Sequence, residues 1–99
     1  MSEARLNLME AIARKRAVTA NYNGSSIKLA PHLLFERHGD LFISALNMTK
    51  VWRSEEDRRL GQFKLAGLGA AELLDEPFDP LPTYRPEAPR ADDTLILAI

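Results

Sequence analysis

Trp52 is the only tryptophan in the chain, and it stands between Lys50 and Arg53 with Arg58 and Arg59 close downstream. Phosphate recognition needs clustered cations, best supplied as guanidinium forks, and single-stranded nucleic acid also needs an aromatic face for base stacking. A cation next to an indole can also engage the ring directly. Lys28, Arg37 and Lys64 extend the basic set along the chain. The competing use of Trp52 is packing, as a plug at a barrel end or in a dimer interface, the usual fate of so large an apolar ring.

Other chemistries find little support. The chain has no cysteine, which excludes disulfides, thiol catalysis and cysteine metal sites. There is no glycine-rich phosphate loop, no Gly-x-Ser-x-Gly and no His-Glu-x-x-His. Glu55-Glu56-Asp57 reads as a solvated charged loop, and Ser25-Ser26 follows a turn glycine. His32 and His38 lie six apart without a carboxylate at metal-ligand spacing. The expectation is a non-enzymatic protein with no catalytic residue, metal ligand or cofactor.

The net charge of −1 conceals an asymmetry. Residues 1–64 carry eleven Lys/Arg against seven Asp/Glu, whereas residues 65–99 carry two against seven. A basic front half suits phosphate backbones, and the acidic rear would repel or screen them. Ordinary solvated faces would give the same count. No apolar run is long enough to span a membrane, and Met1-Ser2-Glu3-Ala4-Arg5 lacks a secretory core. A cytoplasmic location without membrane partners is expected.

The elements that must position these residues follow from periodicity. Leu8, Met9, Ile12 and Ala13 share one helical face, predicting a helix from Glu3 to Arg16 with Ser2 as N-cap. Alternation then shifts to a period of two at Val18, Ala20 and Tyr22, and Asn23-Gly24 predicts a hairpin turn. Ile27 and Leu29 lie on the return strand, Pro31 marks a bulge, bend or edge, and Leu33-Leu34-Phe35 resumes the apolar pattern. After a turn at His38-Gly39-Asp40, Leu41 to Leu46 reads as a central strand. Phe63 and Leu65 belong to a fourth strand. Leu68 to Leu74 suits a fifth strand or a short helix, since Ala70-Ala71-Glu72-Leu73-Leu74 favours helix locally.

Five prolines between Pro77 and Pro89 predict an extended surface stretch. It ends in the β-prone segment Thr94–Ile99, which should dock on a sheet edge of its own chain or of a neighbouring subunit. Two units are therefore expected. Residues 1–76 form a domain with a leading helix, and residues 77–99 a proline-rich extension. Helix first, then about five short antiparallel strands, predicts an α+β, mostly β fold with a small, strongly bent barrel.

Tyr22, then Pro31-His32-Leu33-Leu34, Gly39-Asp40-Leu41-Phe42-Ile43, and Phe63-Lys64-Leu65 together resemble the WYL domain of bacterial transcriptional regulators. That family pattern runs Tyr, a spacer, Pro-x-x-Leu, a Gly turn, Trp-Tyr-Leu and Arg-x-Phe-Arg-Leu-Asp-Arg-Ile. Leu41-Phe42-Ile43 stands for the triplet, Lys64 for an arginine, Gly61 where arginine is usual, and Ala66-Gly67-Leu68 for Asp-Arg-Ile. The resemblance covers about residues 6 to 80. It favours a strand for Leu68–Leu74 and implies an Sm-like or SH3-like barrel with a leading helix. It also implies a pocket for nucleotides, oligonucleotides or nucleic acid. The residues expected to bind are Tyr22, Lys28, His32, Trp52, Arg58, Arg59 and Lys64, although a histidine such as His32 more often bonds a nearby carbonyl.

Two functions follow as expectations. The first is a WYL-type regulatory module that binds single-stranded nucleic acid or a nucleotide-like anion, without a DNA-reading domain of its own. The second is an interaction module that has lost the pocket. It would form a homodimer or dock on a regulatory protein through sheet edges and the C-terminal tail.

Overall fold

The computed structural model describes residues 3–99. The expected N-cap, Ser2, lies outside the described residues. Helix α1 (Glu3–Arg14) leads into strands β1 (Arg16–Tyr22), β2 (Ser25–Arg37), β3 (Asp40–Asn47), β4 (Leu60–Lys64), β5 (Gly69–Pro77) and β6 (Thr94–Ala98). Short 3-10 turns occupy Glu55–Asp57 and Leu65–Gly67. The fold is α+β and mostly β, with one N-terminal helix on a single antiparallel sheet.

Hydrogen bonding runs in the order β4-β3-β2-β1-β5, and β6 pairs with β2 off this path. No pairing joins β4 to β5 among the described residues, so the hydrogen-bonded sheet is not closed. The thirteen-residue β2 organises the molecule. Its first half pairs with β1 from Tyr22↔Ser25 to Val18↔Leu29, and its second half pairs with β6 from Leu33↔Ala98 to Glu36↔Thr94. Between the halves, the register against β3 jumps from Pro31↔Ala45 to Leu33↔Ser44, which leaves His32 as the extra residue of a bulge. A bulge bends its strand and sharpens the twist. That bend frees the second half of β2 from β1 and opens the slot that β6 fills. The terminal segment thus docks on its own chain.

The helix ends two residues earlier than its periodicity suggests. Lys15 takes a left-handed conformation (φ 55°), which stops α1 and turns Arg16 into β1. The buried helical face is Leu8, Ala11 and Ile12, whereas Ala13 is exposed. These side chains meet Val18, Ala20, Leu29, Leu34, Ile43, Ala45, Leu68 and Ala71 in the main core. Phe63 sits on β4 as expected, but Leu65 falls in a 3-10 turn.

Of the Leu68–Leu74 segment, all but Leu68 resolves to strand, and β5 continues to Pro77, opposite Arg16. A proline is tolerated there because, among the described residues, β5 is an edge with no outer partner. Residues 78–93 carry neither helix nor strand, yet they are not detached. Leu81 is buried with Ala30 and Leu46 in a second cluster, flanked by Met48, Trp52, Leu60, Phe78 and Tyr84. No helix among the described residues is long and apolar enough to cross a membrane.

Candidate ligand-binding clefts

The loop from Met48 to Arg59 is held at its base by polar contacts. The Asn47 side-chain oxygen accepts the backbone N–H groups of Thr49 and Lys50 at 3.0 and 3.2 Å, an arrangement typical of asparagine turns. The Trp52 indole N–H donates to the Asn47 carbonyl at 3.1 Å. The backbone of Lys28 fastens the loop to β2, accepting from Met48 N–H at 2.7 Å and donating to the Thr49 hydroxyl at 2.7 Å. Trp52 is half-buried against the second cluster, with the Lys50 ammonium 4.4 Å from its ring centroid. A cleft of about 380 Å³ opens here, lined by Lys50, Val51, Trp52, Arg53, Asp57 and Arg59.

Ion pairing divides the cations into two populations. Lys28 is bound by Glu76 at 2.9 Å, Arg37 by Asp93 at 2.7 Å and Lys64 by Asp40 at 3.3 Å, while Arg16 pairs with Asp75. Among the described residues, none of the ion pairs involves Lys50, Arg53, Arg58 or Arg59. Arg58 and Arg59 are instead oriented by the main chain. Arg58 donates from Nε to the Glu55 carbonyl at 3.0 Å, and Arg59 from Nη1 to the Glu56 and Arg58 carbonyls at 2.7 and 2.9 Å. Each guanidinium keeps further N–H donors for a ligand.

The seven residues singled out from sequence do not form one site. Trp52, Arg58 and Arg59 share the loop after β3. Lys64 lies opposite Phe42 and bonds Asp40, at the other end of that strand. Seven residues of strand rise, about 24 Å, separate the two ends of β3. Tyr22 meets Phe63, the residue before Lys64 on β4, edge-on at 5.3 Å. Lys28 contributes its backbone to the loop, but its ammonium goes to Glu76.

His32 lines no surface at all. It is 0% exposed, with Nδ1 2.7 Å from the Ala30 carbonyl and Nε2 accepting the Leu81 N–H at 3.1 Å. These partners require the neutral tautomer with the proton on Nδ1. Phe78 stacks on the ring and Tyr84 meets its edge, each at 5.1 Å between centroids. Burial holds its pKa below the ordinary histidine value, against an opposing effect of the Ala30 hydrogen bond. In place of a ligand, His32 binds the segment between β5 and β6. The carbonyl-bonded reading of His32 holds, and Pro31 beside it is the sequence signal for the bulge.

A second cleft, of about 280 Å³, lies between β3, β4 and the segment after β5, and Arg59 lines both. Its Ser44, Gln62, Arg85 and Glu87 carry no motif and come from three separate parts of the chain. Comparison with protein-family models, curated proteins and solved structures finds no match for this chain.

Proposed function

We propose that the chain is a non-enzymatic, WYL-type regulatory module that binds single-stranded nucleic acid or a nucleotide-like anion at the Trp52 loop. The fold is read as a strongly bent Sm/SH3-like barrel. That reading is supported by the contact of Tyr22 on β1 with Phe63 on β4, strands that are not neighbours in the sheet. The observation that carries the function is the set of cations without carboxylate partners around the half-buried Trp52, when Lys28, Arg37 and Lys64 are all neutralised in place. A base stacking on Trp52 would displace the Lys50 ammonium toward the adjoining phosphate. Arg53, Arg58 and Arg59 would follow the backbone. This narrows the basic surface to one loop and leaves Tyr22, Lys64 and His32 outside the contact.

The test is fluorescence anisotropy with mixed-sequence single-stranded DNA and RNA. With three to four phosphates neutralised, affinity should fall roughly 20- to 50-fold between about 50 and 200 mM salt. Trp52→Ala should cost about 1–3 kcal/mol if one base stacks there. Arg53→Ala should flatten the salt slope, and Lys64→Ala should leave it unchanged. No binding at the lower salt, or equal losses from Lys64→Ala and Arg53→Ala, sinks the proposal.

Self-association is a second reading, favoured by the outer edge of β6. That edge has no partner strand among the described residues, and its Leu95 and Ile96 are 43% and 42% exposed. An uncharged apolar edge invites pairing with another copy. Deleting the tail would empty the slot beside β2, so Ile96→Lys is the cleaner probe. If an edge-paired dimer forms, light scattering should report it for the unaltered chain and a monomer for the variant. A monomer in both cases removes this reading.

A further inference from the structure

We propose that the cleft between β3, β4 and the proline-rich segment, which shares Arg59 with the Trp52 cleft, is a second binding site for a small zwitterion, a free amino acid with an apolar side chain. Ser44 is the starting observation. It sits on β3, 6% exposed, lines the cleft, and has no side-chain hydrogen bond among the described residues. Since no sealed side-chain polar atom among the described residues lacks a partner, its hydroxyl faces the cleft rather than a closed void. A nearly buried hydroxyl without a protein partner loses hydrogen-bond energy unless water or a ligand supplies one.

The groups around it are sorted by chemistry. Gln62, directly across from Ser44 in the β3–β4 ladder, already gives its carbonyl oxygen to Arg37 at 3.1 Å. Its amide therefore has N–H groups left to donate. Arg59 and Arg85 also line the cleft and add guanidinium donors, so most of the polar lining suits a carboxylate. Among the described residues, Glu87 is the one acidic group lining the cleft, and it forms no ion pair with either arginine. With no cationic partner of its own, the Glu87 carboxylate is free to accept from a bound ammonium. Leu33, Leu60 and Leu81 supply an apolar wall. One end of the ligand must thus be anionic, one cationic, and the remainder hydrocarbon. A cleft of about 280 Å³ is scaled for a molecule of amino-acid size, well short of a nucleotide with its base, sugar and phosphate enclosed.

The experiment is a two-dimensional amide NMR titration of the intact chain with L-leucine, L-methionine and L-phenylalanine to about 10 mM. Two fragments serve as controls, 4-methylpentanoate without the amine and 3-methylbutylamine without the carboxylate. Saturable shifts centred on Ser44, Gln62 and Arg85 are expected with at least one amino acid. The fragments should bind at least tenfold more weakly. Arg85→Ala and Glu87→Gln both alter exposed residues, so the fold should survive, and each should weaken binding at least fivefold. Absence of saturable shifts with all three amino acids overturns the proposal. So does equal binding of 4-methylpentanoate, which would mark a simple anion site. The titration contains no nucleic acid and neither variant touches the Trp52 loop, so its result is independent of the nucleic-acid test.

Discussion

The His32 ring ties the segment between β5 and β6 to the sheet through Leu81. Its Nε2 must stay unprotonated to accept the Leu81 N–H. The protonated ring would turn a donor toward a donor and bury a charge between Phe78 and Tyr84. The unfolded chain therefore takes up a proton near the ordinary value of 6.5, while the folded chain does so only at lower pH. In that window the unfolded state holds more protons, so stability decreases as pH falls. Its contribution is complete above the unfolded value and lost as pH drops through the folded one. Urea midpoints measured from pH 7.5 down to 5 should fall for the unaltered chain. His32→Gln should start lower and respond less over the same range. Parallel slopes would mean that other groups set the pH dependence.

Ala70 presents a second residue-scale prediction. It occupies the left-handed region (φ 49°) in the β5 bulge, where the pairing with β1 skips between Thr19↔Glu72 and Asn21↔Gly69. An L-residue pays about 1–2 kcal/mol for that conformation, and glycine pays none of it, though it loses more chain entropy on folding. Ala70→Gly should stabilise the protein by about 0.5–1 kcal/mol in urea unfolding. A loss of similar size would show that the bulge does not hold this backbone.

Strand β6 is kept in place at both ends. Before it, Asp93 receives two bonds from Arg37, Nε to Oδ1 at 2.7 Å and Nη2 to Oδ2 at 2.8 Å, and also the Arg90 N–H at 3.0 Å. The guanidinium also lies over the stacked rings of Phe35 and Phe42, 5.1 and 5.2 Å from their centroids. Hydrogen bonding from Arg37 lowers the Asp93 pKa, so this clamp is present above the ordinary carboxylate range and lost as pH falls through the depressed value. At the far end, the His32 carbonyl accepts the Ile99 N–H at 3.1 Å and the Tyr84 hydroxyl at 3.2 Å. Thermal melts of Arg37→Ala, Asp93→Ala and the double variant should show each single change lowering the midpoint. The double variant should lie well above the additive value, because each single change strands the partner. Strict additivity would mean that the clamp carries no shared energy.

How much of this was legible varies with the range of the interaction. The helix, the Asn23-Gly24 hairpin and the buried run in β3 are written in local periodicity and turn chemistry. Three features were not. Lys15 ends the helix early because a left-handed lysine leaves no compositional mark. The docking of Thr94–Ala98 was readable as a need for an edge, but which edge depended on a bend created sixty residues earlier at His32. The basic candidates misled for a similar reason. Lys28 and Lys64 resemble Lys50 and Arg53 in sequence, and only the folded chain brings Glu76 and Asp40 to the first pair.

At the scale of the whole molecule, these contacts make the boundary near residue 76 a feature of composition more than of packing. The segment after β5 supplies Leu81 to the second cluster, and Trp52 packs against the same cluster from the loop after β3. β6 then completes the sheet. A chain joined in this way should unfold as one cooperative unit. Trp52, as the sole tryptophan, reports by fluorescence on the junction of the loop with the 78–84 segment. Far-UV circular dichroism reports on the sheet and helix. In urea the two signals should give one midpoint and one slope, of about 1–3 kcal/mol/M for a small domain. If residues 77–99 were an independent extension, the fluorescence change would come at lower urea with a shallower slope, leaving the dichroism signal intact. In the cooperative case, Leu81→Ala should move both curves together by about 2–4 kcal/mol, since it removes a buried leucine from the cluster that both signals share.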